Sequence, residues 1–323
     1  MNQIVARDTR RARHQPRLLV PKLNSMFQIP EGLVRATMNR EGSTGADWLA
    51  ELPAIVIQLL DAWDCEIDGE AQHGEVALVV PVRQRDTAAA LKVSFPHPGN
   101  ESEPDALRRF GGHGAVQLLE YSDETFGLLL ERAGPHSLAE VESIDEAIEI
   151  AGDLARQLAV PASSSTPALA DTADGWEEQL DWQIAAVPDA LPAAAVERAR
   201  STIRALSAET TTTMLHGDLH FRNVLAAERQ PWLAIDPKGW RGTAAYDAFT
   251  VVAGNSAAIQ GSGDIHRALR DHTRRFANAA SVDVGLATAC VQARATSSYL
   301  YQLLQTGDWF DLDLLREAAL LEA

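Results

Sequence analysis

Three oxygen-bearing side chains stand close together in the stretch MLHGDLHFRNVLAAERQPWLAIDPKGWRG, which runs from Met214 to Gly242. Asp218 ends one short β-prone run, Asn223 begins a second and Asp236 ends a third. Because strand ends can meet, these side chains can place three oxygen ligands in one small volume. Mg²⁺ prefers such ligands and binds in proteins through one or two carboxylates together with substrate phosphates. A carboxylate that the metal does not need can orient and deprotonate an attacking hydroxyl group.

The segments that must position these residues fall into a β-rich half and a helical half. The apolar spacing from Ala46 to Trp63 predicts one helix or two short ones, since Pro53 interrupts it, and the alternating pattern from Cys65 to Phe95 predicts three antiparallel strands. The runs VQLLEYSD and FGLLLERAG complete a small sheet, and the pattern after Gly134 becomes helical and rich in alanine. We therefore expect an α+β fold with a small antiparallel β-sheet lobe at residues 26–132 and a larger, mainly α-helical lobe at residues 133–323.

The charge balance limits the class of partner. The chain carries 45 acidic and 28 basic side chains, a net charge of −17, and such a surface repels nucleic acid. The first 25 residues are basic and lack an apolar period, so we expect residues 1–25 to form a flexible arm, unless the protein starts at Met26. No apolar run approaches the roughly 18 to 20 residues of a membrane span, and we expect a cytoplasmic protein.

The motif is similar to one in a known enzyme family. HGDLHFRN, followed by AIDPKGWRG and then YD, resembles the aminoglycoside phosphotransferases, which are relatives of the protein kinases, and most closely the branch of streptomycin 6-kinase and hydroxyurea phosphotransferase. The resemblance implies a bilobal protein-kinase-like fold, ATP and Mg²⁺ as cofactors, and transfer of the γ-phosphoryl group to a hydroxyl. It implies that Asp218 is the catalytic base, that Asn223 and Asp236 are the Mg²⁺ ligands, and that Asp247 is a buried structural acid behind the loop.

The resemblance also implies a phosphate site in the small lobe. Lys92, on a predicted strand, would hold the α- and β-phosphates of ATP. Its helix partner would be Glu103, with Glu101 as the alternative. The segment from Gly69 to Gly74, GEAQHG, stands where a glycine-rich phosphate loop would lie between the first two strands. It lacks the G-x-G-x-x-G spacing, and two glycines are also ordinary in a hairpin turn.

The segment LLLERAG would join the two lobes and hold the adenine ring. By the same resemblance, backbone groups of Glu131 and Ala133 would hydrogen-bond the adenine edge. A plain connection from a strand to a linker has the same sequence pattern, because the backbone would make these contacts.

A cationic substrate such as streptomycin needs acidic side chains around it. The segment DGWEEQLDW of the helical lobe offers four of them, Asp174, Glu177, Glu178 and Asp181. The alternative interpretation is a solvated helix face. Beside the motif, His220 either contacts metal or phosphate or supports the loop, and Lys238 either neutralises phosphate charge or is solvated.

Three functions remain open at this point. The first is a kinase of an aminoglycoside, such as streptomycin at its 6-hydroxyl, and the second is a kinase of another small metabolite, such as hydroxyurea, a sugar or an amino sugar. The third is a nucleotide-binding pseudokinase, which the presence of Lys92, Asp218, Asn223 and Asp236 together argues against. In each case we expect a small cationic or polar partner, with neither a nucleic acid nor a membrane as partner.

Overall fold

The computed structural model describes residues 27–254, 256–305 and 310–322. The predicted arm at residues 1–25 lies outside the described residues. Two hydrophobic cores organise the chain: a smaller one with members between Leu33 and Leu129, and a larger one with members between Ala106 and Leu321. The small core belongs to a sheet with a covering helix, and the large core belongs to a set of packed helices.

The chain enters the small lobe through one long helix. Helix α1 spans Glu31–Ala62 and changes direction at Gly42, whose φ of 57° suits a residue without a side chain. It therefore begins well before the predicted start at Ala46. Pro53 lies inside this helix, and the helix continues on both sides of it.

A six-stranded antiparallel sheet follows, and it confirms the strands predicted for this half. The strands are β1 (Cys65–Ile67), β2 (Gln72–His73), β3 (Ala77–Gln84), β4 (Thr87–Ser94), β5 (Leu118–Ser122) and β6 (Gly127–Glu131). The order is β1-β3-β4-β6-β5, and β2 also pairs with β3, so β1 and β2 form one interrupted edge strand. Helix α2, Glu103–Phe110, connects β4 to β5.

The larger lobe is mainly helical, as expected. Its helices are α3 (Ile144–Leu158), α4 (Ala173–Ala186), α5 (Ala193–Ser207), α6 (Ala248–Ala253), α7 (Ser256–Gly261), α8 (Ile265–Ala280), α9 (Val284–Leu304) and α10 (Leu312–Ala319). Helix α9 is the central one and packs against α4, α5, α6, α8 and α10. None of the helices within the described ranges is long and apolar enough to cross a membrane.

Two short antiparallel strand pairs hold the segment at residues 214–242. Strand β7, Met214–Leu215, pairs with β10, Trp240–Arg241, and β8, Val224–Ala226, pairs with β9, Trp232–Ala234. Asp218 and Asn223 thus lie between β7 and β8, and Asp236 lies between β9 and β10. The antiparallel pairing brings the two connecting loops side by side.

Candidate active site

A buried lysine joins the two lobes. Lys92 of β4 donates from Nζ to both carboxylate oxygens of Glu103 at 2.7 Å and to Oδ1 of Asp236 at 2.7 Å. Burial alone would lower the pKa of Lys92, but the negative charges of Glu103 and Asp236 outweigh it and raise the pKa above its ordinary value. The side chain is therefore a fully charged ammonium that ties β4, α2 and the loop after β9 together.

The position of Glu103 follows from how helix α2 begins. Glu103 is the first residue of the helix, and Pro104 follows in the first turn, where a missing backbone N–H costs little. The carboxylate is 2% exposed, whereas the alternative partner, Glu101, is on the surface. Gly239, in the loop that carries Asp236, packs against the start of the helix, and a Cβ there would lie 2.8 Å from the carbonyl oxygen of Ser102.

A buried histidine connects the two loops of the helical lobe. Nδ1 of His216 accepts a hydrogen bond from the backbone N–H of Asp218 at 3.2 Å, and Nε2 faces the carbonyl oxygen of Ile235 at 2.9 Å. Burial lowers the pKa of His216 to about 4, so the ring is neutral and Nε2 is the atom that donates. The histidine thereby fixes Asp218 relative to the loop that follows β9.

Asp247 supports the same loop from behind. Its carboxylate is fully buried and accepts hydrogen bonds from the backbone N–H groups of His216 at 3.0 Å and Gly217 at 2.8 Å. Burial raises the pKa of Asp247 to about 6, against the effect of these two hydrogen bonds. The sequence expectation of a buried structural acid at this position agrees with these contacts.

The carboxylate of Asp218 is partly exposed and available. The side chain is 32% exposed, and no hydrogen bond from the described residues reaches either carboxylate oxygen. The nearest basic side chains among the described residues are His220, with Nε2 at 3.9 Å, and Lys238, with Nζ at 4.0 Å, both measured to Oδ2. Asn223 donates from Nδ2 to the backbone oxygen of Asp218 at 3.0 Å, which closes the loop. A substrate hydroxyl can therefore approach the carboxylate.

Asn223 and Asp236 supply oxygen atoms that suit a hard cation. Burial would raise the pKa of Asp236, but Lys92 and Lys238 outweigh it and hold the pKa well below its usual range, so the carboxylate is ionised. The amide oxygen of Asn223 accepts no hydrogen bond from the described residues. Within those residues no group of three or more His, Cys, Asp or Glu side chains could hold a metal alone. One carboxylate and one amide oxygen fit Mg²⁺ that is bound partly by phosphates.

The predicted phosphate loop divides into two separate features. Gly74 lies in the turn between β2 and β3, where its N–H donates to the carbonyl oxygen of Ala77 at 3.0 Å. Gly69 lies outside this turn. It stands between β1 and β2, and a Cβ there would lie 3.2 Å from Cβ of Pro81 on β3. The edge strand is interrupted opposite this proline, and the close approach favours a glycine at position 69.

The predicted adenine contacts lie at the end of β6. Glu131 is the last residue of this strand, and its carboxylate makes a two-fold ion pair with Arg229 at 2.7 and 2.9 Å. The N–H of Ala133 has no hydrogen-bond acceptor among the described residues. It is therefore free to donate to a ligand.

The four acidic residues of α4 are not equivalent. Glu177 pairs with Arg204 at 2.8 Å and Asp181 pairs with Arg200 at 2.7 Å, both across to α5. Asp174 and Glu178 are exposed and have no ion pair with any described residue. Two of the four predicted substrate contacts are thus already neutralised by helix packing, and these long-range pairs have no signature in the sequence.

Sequence reasoning did not predict that Tyr246 gathers aromatic side chains beside the loop that carries Asp218. Tyr246, next to Asp247, meets Trp240 edge to face with ring centroids 5.8 Å apart, and meets Trp176 of α4 at 6.2 Å. Trp176 also donates from Nε1 to Oγ of Ser297. A partial signal was available, because Trp240 and Tyr246 follow Asp236 closely in the sequence.

The family model described as aminoglycoside/hydroxyurea antibiotic resistance kinase matches residues 62–302. The chain belongs to this family. It is 36% identical over 289 residues to streptomycin 6-kinase of Streptomyces glaucescens, which covers 88% of this chain and 92% of that one. It is 36% identical over 231 residues to hydroxyurea phosphotransferase of Kitasatospora aureofaciens, which covers 70% and 68%. These findings confirm the resemblance seen in the motif, and the chain is a phosphotransferase that uses a hydroxyl group as acceptor.

Solved structures confirm the fold. An aminoglycoside phosphotransferase crystallised with AMP-PNP and hygromycin B superposes with a TM-score of 0.54 at 14% identity, covering 81% of this chain and 95% of that one. At this identity the likeness concerns the fold alone, and the fold is the expected bilobal protein-kinase-like one.

The contact between Lys92 and Glu103 predicts different effects at two neighbouring glutamates. Glu103→Gln removes the charge that holds the ammonium in place, and we expect kcat/KM for ATP to fall about 100-fold, a typical cost of losing a charged hydrogen bond. Glu101→Gln is the matched control and stays within about twofold of the unmodified protein. Steady-state kinetics with varied ATP checks this. Equal losses in both variants, or a loss only at Glu101, would contradict the assignment.

The hydrogen bonds from His216 and Gly217 to Asp247 predict that a change at Asp247 lowers the stability of the protein. Asp247→Asn leaves one acceptor oxygen for two backbone N–H groups, and we expect the free energy of unfolding to fall by about 1–3 kcal/mol. Asp283→Asn is the control, because Asp283 caps helix α9 at the surface and asparagine caps a helix equally well. Urea denaturation of both variants measures the difference. A variant at position 247 that is as stable as the control would refute the role.

Proposed function

We propose that this phosphotransferase moves the γ-phosphoryl group of ATP to a hydroxyl of an aminoglycoside of the streptomycin type, in the cytoplasm. The observation that carries the proposal is the Asp218 carboxylate. It is partly exposed and receives no hydrogen bond from the described residues, while the groups behind it, His216 and Asp247, are fully buried and bonded. A general base needs this combination of a fixed backbone and an available carboxylate.

Each predicted site residue then has a role that its contacts support. Lys92 holds the α- and β-phosphates of ATP, and its bond to Glu103 fixes its position. Asn223 and Asp236 hold Mg²⁺, which supplies positive charge to the phosphates. Asp218 orients the acceptor hydroxyl and takes its proton, so that transfer is direct and needs no covalent enzyme intermediate.

The remaining predicted contacts fit the nucleotide and the acceptor. Gly74 brings the turn between β2 and β3 over the phosphates, and backbone groups of Glu131 and Ala133 meet the adenine edge. His220, with Nε2 at 3.9 Å from Oδ2 of Asp218, is close enough to contact an acceptor bound there. Gly69, between β1 and β2, begins the same glycine-containing segment as Gly74.

Three observations favour a cationic acceptor. The relative from Streptomyces glaucescens is named for streptomycin and matches almost the whole chain. The protein has a net charge of −17, which attracts cations. On helix α4, Asp174 and Glu178 are exposed and unpaired among the described residues, and Trp176 of the same helix reaches the aromatic cluster beside the catalytic loop.

A second candidate acceptor is hydroxyurea or another small metabolite. A relative named hydroxyurea phosphotransferase, at 36% identity, favours it. Such an acceptor is uncharged and small, and it would use neither the free carboxylates of α4 nor the aromatic cluster. The two candidates therefore differ in which residues affect KM for the acceptor.

Asp218→Ala tests the mechanism. We expect kcat to fall by about 10²–10⁴-fold, since the variant lacks the group that receives the hydroxyl proton, while ATP still binds. The assay measures ADP release and product phosphate by ³¹P NMR with streptomycin, other aminoglycosides, hydroxyurea and amino sugars. Nucleotide binding is followed by calorimetry in parallel.

The double variant Asp174→Asn, Glu178→Gln is the control that separates the acceptors. It raises KM for streptomycin and leaves KM for hydroxyurea unchanged if the acceptor is a cation held at α4. Turnover of hydroxyurea alone moves the protein to the second candidate. Full turnover by Asp218→Ala contradicts the mechanism for every acceptor.

A further inference from the structure

The side chain of Lys238 stands between the two acidic residues of the site. Its Nζ lies 3.2 Å from Oδ2 of Asp236 and 4.0 Å from Oδ2 of Asp218. The base of the side chain is fixed, because the N–H of Lys238 donates to the carbonyl oxygen of His216 at 2.7 Å. Its Cβ fills the space beside Gly217, where a second Cβ would be only 2.9 Å away. The flexible stem beyond Cβ can still carry the ammonium from one carboxylate to the other.

Both oxygens of the Asp236 carboxylate are taken by lysines. Oδ1 receives Lys92 at 2.7 Å and Oδ2 receives Lys238 at 3.2 Å. A divalent cation on Asp236 must therefore share or replace one of these contacts. Lys92 is buried and holds Glu103 as well, whereas the side chain of Lys238 is 23% exposed. Lys238 is the contact that yields at lower cost, because its ammonium can remain hydrated as it moves.

The choice of lysine at this position stands out in the whole chain. There are only three lysines, Lys22, Lys92 and Lys238, among 28 basic residues. Apart from the pairs that Lys92 and Lys238 make, every ion pair to a carboxylate among the described residues uses arginine or histidine. A guanidinium group clamps a carboxylate with a planar fork, while an ammonium is a compact charge on a flexible stem. A lysine ammonium is therefore better suited than an arginine to a site in which the side chain moves from one negatively charged group to another.

We propose that Lys238 is an exchange cation. Without nucleotide it occupies Oδ2 of Asp236 and keeps the metal-binding carboxylate neutralised, and when metal and ATP bind it turns to the γ-phosphoryl group beside Asp218. The inference rests on the proposed function and adds the order of events at the same site. The divalent metal and the lysine ammonium groups repel one another at the carboxylate of Asp236, and this repulsion drives the exchange. The released ammonium of Lys238 then binds the negatively charged oxygens of the γ-phosphoryl group.

The exchange leaves the chemistry of the transfer balanced. A lone pair of the acceptor oxygen forms the new bond to the γ-phosphorus, and the bond from that phosphorus to the β,γ-bridging oxygen breaks with its electron pair going to ADP. The hydroxyl proton passes to Asp218. Lys238 gives up no proton and contributes only its charge and position.

The test measures Mn²⁺ binding to the full-length protein in the absence of nucleotide, by the loss of the electron paramagnetic resonance signal of free Mn²⁺. In Lys238→Met the competing charge is gone, and we expect Mn²⁺ to bind at least about tenfold more tightly than in the unmodified protein. We expect kcat with ATP to fall about 100-fold in the same variant. Lys238→Arg keeps the charge but clamps the carboxylates, so that Mn²⁺ affinity does not rise and kcat still falls.

Asp236→Asn in the Lys238→Met background is the control, and it abolishes the gain in Mn²⁺ affinity. Unchanged Mn²⁺ affinity in Lys238→Met overturns the exchange, and if turnover still depends on Asp218 the proposed function survives that result. A gain in Mn²⁺ affinity with unchanged kcat overturns the role at the γ-phosphoryl group. Full activity of Lys238→Arg overturns the need for a mobile ammonium.

Discussion

The ionised carboxylate of Asp236, held by an ammonium on each side, is the interaction on which the rest of the site depends. Lys92 reaches it from the sheet lobe, and Lys238 reaches it from its own loop. Lys92 and its partner Glu103 are buried, and removing one partner from such a pair leaves the other charge without compensation, at a cost of about 3–5 kcal/mol. Strand β4, helix α2 and the loop between β9 and β10 must therefore keep their relative positions.

This constraint explains the fixed features around it. The close approach of the loop to helix α2 needs a glycine at position 239, and the neutral ring of His216 ties the same loop to the backbone of Asp218. The buried carboxylate of Asp247 then holds the other side of that backbone. The result is a rigid frame with two adaptable side chains in it, the exposed carboxylate of Asp218 and the ammonium of Lys238. Rigid support around a few free groups is what positioning a reactive hydroxyl requires.

The sequence predicted those parts whose information is local. The alternating pattern gave the strands of the sheet lobe, and motif spacing placed Asp218, Asn223 and Asp236 in neighbouring loops. The pairing of Lys92 with Glu103 followed from the family resemblance, and the contacts in the structure agree with it. The contacts that the sequence did not predict depend on three-dimensional pairing. Gly69 lies beside Pro81 on the neighbouring strand, and two carboxylates of α4 pair with arginines of α5. Hydrophobic periodicity carries no record of such partners.

The central claim is that ATP and the acceptor hydroxyl react directly, with Asp218 beside them and no phosphorylated residue between. The most direct measurement is the stereochemical course at phosphorus. The substrate is an ATP analogue whose γ-phosphorus is chiral because it carries one sulfur atom and different isotopes of oxygen. One direct transfer inverts the configuration, and the structure predicts inversion. Retention would mean two successive transfers through a covalent phosphoryl-enzyme intermediate, and it would contradict the account.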